Sequence, residues 1–135
     1  MTAAAPRQPT MKPVGITDIA VESFSTKSGR KGDTLEVVLR GNADMAIHEQ
    51  LKTFLDAVDH HAKQQRIKEA TFGLEELYFM NSSCLSLLLR MINSVVESQG
   101  GHQYKIRFRS NPNLRWQKKS LQALRSYAPD TVFVD

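Results

Sequence analysis

The chain has 135 residues, 41% hydrophobic and 24% charged, with a formal net charge of +4. That length suits one domain around one core. A single cysteine excludes an internal disulfide and fits a reducing compartment, and no apolar run approaches the roughly 20 residues needed to cross a bilayer.

Residues 1–15 hold Pro6, Pro9 and Pro13 and almost no large apolar side chain. Such a segment buries too little surface to offset its ordering, so a flexible tail is expected there, followed by one folded domain over 16–135. The tail has no apolar stretch of the secretory type, so a cytoplasmic protein is expected. Ile19, Val21 and Phe24 alternate weakly and predict a first strand over residues 16–25. Ser28-Gly29-Arg30-Lys31-Gly32-Asp33 reads as a turn by composition. Leu35-Glu36-Val37-Val38-Leu39 is a second strand, closed by Gly41, and the two strands form an antiparallel hairpin.

Asn42, Ala43 and Asp44 lead into a helix, whose apolar face repeats as Ile47, Leu51, Phe54, Leu55, Val58 and Ala62. Glu49, Lys52, Asp56, His60 and Lys63 fall on its outer side. Ala70-Thr71-Phe72 marks a short third strand within residues 68–74, and Leu77, Phe79 and Met80 extend its apolar character. A second helix is predicted over residues 82–99, with Leu85, Leu88, Leu89, Ile92, Val95 and Val96 as its core face and Gly100-Gly101 as its stop. Tyr104-Lys105-Ile106-Arg107-Phe108-Arg109 has a clean period of two, with the three basic side chains on one face. Pro112 suits the first turn of a third helix that carries Leu114, Leu121 and Leu124 to about Tyr127. Thr131 to Val134 is a possible last strand. The order β-β-α-β-α-β-α-β predicts an α/β fold with a mixed, mostly parallel sheet.

The chemistry concentrates at Phe79-Met80-Asn81-Ser82-Ser83-Cys84, where an apolar strand becomes an apolar helix. Two hydroxyls there stand beside the free N–H groups and positive dipole end of a helix. Such a turn can hold a phosphate, and it can equally serve as a plain cap. Cys84 reads as a small packed hydrophobe, with a redox role as the alternative. The four histidines and the cysteine lack metal-ligand spacing, and no nucleophile elbow, P-loop or dinucleotide fingerprint is present. No metal, cofactor or enzymatic activity is therefore expected. The basic residues after Gly101 (Lys105, Arg107, Arg109, Arg115, Lys118, Lys119 and Arg125) read as a solvated face, and nucleic acid is not expected as a partner.

The segment from Leu74 to Leu85 resembles the signature of the STAS family, the bacterial anti-sigma factor antagonists and their relatives. That signature is a strand, an apolar loop and Asp-Ser-Ser-Gly opening an apolar helix. Arg40-Gly41-Asn42-Ala43-Asp44 is similar to the family's Gly-x-x-Asp segment before its first helix, and the Gly-Gly turn before Tyr104 also fits. The resemblance implies a STAS-like fold with helices packed on the sheet. It further implies a phosphorylation site at Ser82, with Ser83 as the fallback, and a protein partner that is an anti-sigma factor and serine kinase. Asn81, Ser82, Ser83, Cys84 and Asp44 are the expected partner-binding residues. The chain departs from the signature at Asn81, in place of aspartate, and at Cys84, in place of glycine. These two departures keep open a second reading, a STAS-like scaffold or regulatory subunit of a transporter or signalling complex that works without a phosphate.

Overall fold

The computed structural model describes residues 12–98 and 101–135. Most of the expected tail, and Gln99 and Gly100 of the expected helix stop, lie outside them. Five strands form one sheet in the order β1 (Phe24–Lys31), β2 (Thr34–Ala43), β3 (Glu69–Met80), β4 (Lys105–Arg109) and β5 (Val132–Val134). The β1–β2 pair is antiparallel and every other pair is parallel. Three helices connect the parallel strands: α1 (His48–Gln64), α2 (Ser82–Val96) and α3 (Arg115–Tyr127). The strands follow one another across the sheet without reversal, so right-handed crossovers place all three helices on the same face.

That one-sided architecture explains the burial pattern. Leu35, Val37 and Leu39 of β2, Ala70, Phe72 and Leu74 of β3, and Ile106 and Phe108 of β4 point into a single core against the apolar faces of the helices. Each side chain of this size buried there contributes about 1.5–3 kcal/mol relative to exposure. Phe72 and Phe108, opposite each other on neighbouring strands, stack in a tilted pair with centroids 5.6 Å apart.

The other sheet face is open and polar. Glu69 of β3 receives Arg107 of β4 at 3.2 Å, and Arg107 also reaches Asp135 at 3.0 Å. Arg109 bridges Glu36 of β2 and Glu75 of β3, both at 3.2 Å. The basic comb on β4 is thus a solvated face knitted to carboxylates, as its alternation predicts. At the N-terminal ends of the strands a second polar cluster joins α1, α2 and the start of β4. Asp59 there accepts from the Tyr104 hydroxyl at 2.6 Å, the Ser94 hydroxyl at 2.9 Å and Lys63 Nζ at 3.1 Å. Lys63, expected on the outer side of its helix, instead points into this cluster.

Five boundaries differ from the sequence reading. Residues 16–23 are not a strand; Ile16 and Ile19 enter the core from an irregular segment, and Val21 is exposed. The strand starts at Phe24 and runs through the polar stretch up to Lys31, leaving only Gly32 and Asp33 as the turn, with Gly32 at φ 61°. Ser25, Lys27 and Lys31 lie on the open face, while Thr26 and Ser28, opposite Leu39 and Val37 on the helix side, donate their hydroxyls to Asp18, so the polar stretch does not break the strand. β3 continues to Met80 because β2 stays paired with it beyond Gly73. Pro112 lies in a turn ahead of α3, where the Asn111 side chain accepts from the Asn113 N–H at 2.9 Å; the helix starts at Arg115. α2 ends at Val96, before the glycine pair.

Candidate functional site

The serine turn sits where β3 overhangs the sheet. β4 accompanies β3 only from Glu69 to Gly73, so the last seven residues of β3 have no strand on that side. β2 holds the other side, with irregularities between Val38 and Arg40 and between Gly41 and Asn42. These shifts reset the inside–outside alternation of β3. Leu77 and Met80 are buried, while the neighbours Tyr78 and Phe79 face solvent. Gly41 makes the distortion possible: its φ is 100°, and a β-carbon there would lie 2.1 Å from the Ser23 carbonyl oxygen. The same carbonyl accepts from the Asn42 N–H at 2.8 Å.

Asn81 closes the strand and opens the helix. Its N–H donates to the Ala43 carbonyl at 2.9 Å, and its side-chain oxygen accepts from the Cys84 N–H at 2.8 Å. That is the cap expected from an Asn at this position. Ser82 and Ser83 occupy the first two helical positions, and both are exposed. Since Asn81 caps the helix, neither hydroxyl is needed for that task. The Ser82 carbonyl accepts from the Ser86 hydroxyl at 3.0 Å within the helix.

Asp44 and Cys84 meet across the turn. Asp44 caps the single 3-10 turn Met45–Ile47, its carboxylate accepting from the Ala46 N–H at 3.0 Å. Its backbone carbonyl lies 3.5 Å from Cys84 Sγ. Cys84 is fully buried, and burial, followed by the charge of Asp44, holds its thiol above the usual range. This is the environment of a packed, unreactive cysteine. The structure therefore brings Asp44, Asn81, Ser82, Ser83 and Cys84 together at one end of the sheet. Of the five, only the two serines are exposed; Asp44 and Asn81 are half-buried.

Three apolar side chains adjoin this turn and stay exposed: Met45 at 62%, Tyr78 at 56% and Phe79 at 48%. Large apolar groups this open, gathered around one feature, mark an interaction surface more than a lone exposed residue does. The sequence placed Phe79 on an apolar run without fixing its direction, because the two β2–β3 irregularities that turn it outward have no clear composition. Gln117 is a further residue whose part the sequence did not show. It is completely buried on α3, and its amide reaches the overhanging part of β3. A glutamine inside a basic helix looks like any solvated position; only its i−3 and i+4 spacing to Leu114 and Leu121 places it on the inner side.

Among the described residues, no group of three or more His, Cys, Asp or Glu side chains is arranged to hold a metal ion, and no helix is long and apolar enough to cross a membrane. No family model matches the sequence, and no curated protein matches it. Solved structures do share its architecture. An anti-sigma factor antagonist from Mycobacterium paratuberculosis superposes with a TM-score of 0.60 at 17% identity, over 82% of this chain and 86% of that one. The anti-sigma factor antagonist SpoIIAA in its unphosphorylated form superposes with a TM-score of 0.52 at 18% identity, over 84% and 87%. With its antiparallel opening pair, its parallel strands and its serine turn at the head of α2, the chain has the STAS-like fold of the anti-sigma factor antagonists.

Proposed function

We propose that this protein is a non-enzymatic regulatory module that binds a protein partner through the serine turn and is released by phosphorylation of Ser82. The observation that carries the reading is the exposure of Ser82 and Ser83 at a helix start that Asn81 already caps. A phosphate there adds about −1.5 to −2 charge and three acceptor oxygens. The free N–H groups and dipole of α2 favour an anion, so the fold survives the modification while the docking surface changes. Met45, Tyr78 and Phe79 supply the apolar contact that a partner desolvates on binding, and a doubly charged group beside them opposes that desolvation. The partner in this reading is a serine kinase that doubles as an anti-sigma factor, acting in the cytoplasm of a bacterium.

Intact-mass and peptide analysis of the chain recovered from its native cells tests this directly. One phosphate on the peptide bearing Ser82, absent from Ser82→Ala and retained in Ser83→Ala, is the expected result. A phosphate that moves to Ser83 shifts the acceptor, and no phosphate on either serine ends the phospho-switch reading. The exposed apolar patch also supports a scaffold role in a transporter or signalling complex, because it needs no phosphate to dock. Co-purification with a transporter or scaffold subunit in place of a kinase favours that alternative.

A further inference from the structure

The overhang of β3 raises a question of support. From Leu74 onward the strand has lost β4, and backbone carbonyls on that side need partners. Two side-chain amides take the place of the missing strand. Gln117 Nε2 donates to the Leu74 carbonyl at 2.7 Å and to the Leu77 carbonyl at 3.1 Å. Asn111 Nδ2 donates to the Glu75 carbonyl at 3.0 Å. Gln117 Oε1 in turn accepts from the Asn111 N–H at 2.7 Å, which joins the two amides into one clamp. Gln117 is 0% exposed, and its oxygen and both bonds of its NH₂ group are used.

We infer that Gln117 is the positioning residue of the serine turn: it fixes the end of β3 from which Asn81, Ser82 and Ser83 project, and couples that end to α3. The inference rests on the reading of this turn as the switch. The charge and shape of the amide explain why no other residue serves. Leucine fills the volume but leaves the Leu74 and Leu77 carbonyls without donors in a dry site. Glutamate keeps the acceptor for the Asn111 N–H but sets a carboxylate against two carbonyl oxygens. Only an amide donates twice and accepts once with no net charge. With the clamp intact, β2 on one side and α3 on the other hold the turn. Without it, the turn hangs from β2 alone, through bonds already distorted around Gly41.

Amide hydrogen exchange on the isolated chain tests the inference without a partner. The diagnostic protons are the Asn81 N–H on the Ala43 carbonyl and the Cys84 N–H on the Asn81 side chain. Gln117→Leu and Gln117→Glu should each speed exchange at these protons by roughly tenfold, the scale expected for unmet buried carbonyls. Exchange of the Leu35–Leu39 amides in the sheet centre should change by less than half of that factor. Tyr104→Phe, which loosens the far end of the sheet, is the control for general destabilisation and should leave the Asn81 and Cys84 protons at the wild-type rate relative to the centre. Uniform acceleration in the Gln117 variants, or the same local pattern in Tyr104→Phe, overturns the positioning role. Should a Gln117 variant fail to fold, Asn111→Ala, which removes the donor to Glu75 and the acceptor of the Asn113 N–H but keeps the backbone N–H that meets Gln117, gives the same test on the same protons. If Ser82 carries no phosphate in cells, the exchange result still stands or falls alone, so the two failures are distinguishable.

Discussion

Arg109 crosses strand β3 to reach Glu36, with Nη1 and Oε1 3.2 Å apart, and the strand it crosses is smooth at that point because residue 73 is glycine. A β-carbon at Gly73 would meet Arg109 Nη2 at 2.7 Å and Glu75 Oε1 at 3.0 Å. Both atoms end flexible side chains on an open face, so they can move aside. Gly73→Ala is therefore expected to cost less than about 1 kcal/mol, the range of partly exposed ion pairs. Gly41→Ala meets fixed backbone at 2.1 Å and an unfavourable φ, and should cost about 3 kcal/mol or prevent folding. Urea unfolding of the two variants checks the contrast; equal losses would refute it.

The cap at Asn81 gives a second prediction. Asn81→Ala removes the acceptor of the Cys84 N–H and should lower stability by about 1 kcal/mol. Asn81→Asp keeps the acceptor and adds a charge at the positive end of α2, so at neutral pH it should match or exceed the parent by about 0.3–1 kcal/mol. That advantage belongs to the carboxylate, and it should fade as pH falls through the aspartate range near 4. Thermal unfolding at pH 7 and pH 3.5 reads both effects.

Alkaline stability is set by two buried acids. Burial, then the charge and hydrogen bond of Asp59, push the Tyr104 hydroxyl well above its usual value, and burial and Asp44 raise Cys84. Both groups hold their protons more tightly when folded than when unfolded. Stability is therefore fully present below the unfolded values, 9.0 for Cys84 and 10.0 for Tyr104, and declines as pH rises beyond them. Tyr104→Phe should flatten the decline above pH 10 while lowering stability at pH 7 by about 1 kcal/mol. The Cys84 thiol should resist a disulfide reagent at pH 8 in the folded chain and react within seconds in urea.

A negative charge at position 82 should be neutral or helpful to the fold. Ser82→Asp places a carboxylate in the first turn of α2 and is expected to change stability by no more than about 1 kcal/mol, in the favourable direction at low salt. Ser82→Lys should shift it the other way. If Ser82→Asp instead loses more than 1 kcal/mol in urea unfolding, phosphate at this position would disturb the fold and the release mechanism would need another acceptor.

Much of this architecture was legible before the structure. The period of α1 marked its buried face, and the alternation of Tyr104 to Arg109 gave both faces of β4; that of α2 marked its face only in part, because Leu89 and Val96, expected in the core, are exposed while Cys84, Leu87 and Met91 are buried. Asn81 and the two serines announced the turn by residue type alone. What escaped were features that depend on neighbours distant in sequence. β1 absorbed a polar stretch because Lys27 and Lys31 take the open face and Asp18 accepts from Thr26 and Ser28 on the other, which local composition does not reveal. Tyr78 and Phe79 turned outward because β2 is irregular opposite them. Gln117 became a buried clamp because β4 stops at Arg109, opposite Gly73, and leaves the last seven residues of β3 unaccompanied. Each depends on a partner distant in sequence.

The segment before β1 has a consequence for behaviour at high concentration. Lys12 exchanges two backbone hydrogen bonds with Arg30, both at 2.8 Å, and the Ile19 carbonyl accepts from the Thr26 N–H at 2.9 Å. The outer rim of an eight-residue strand is thereby occupied, and the opposite rim, β5, is three residues long. Among the described residues neither rim offers a long bare ladder to a neighbouring molecule, so the sheet is guarded against growth into fibrils.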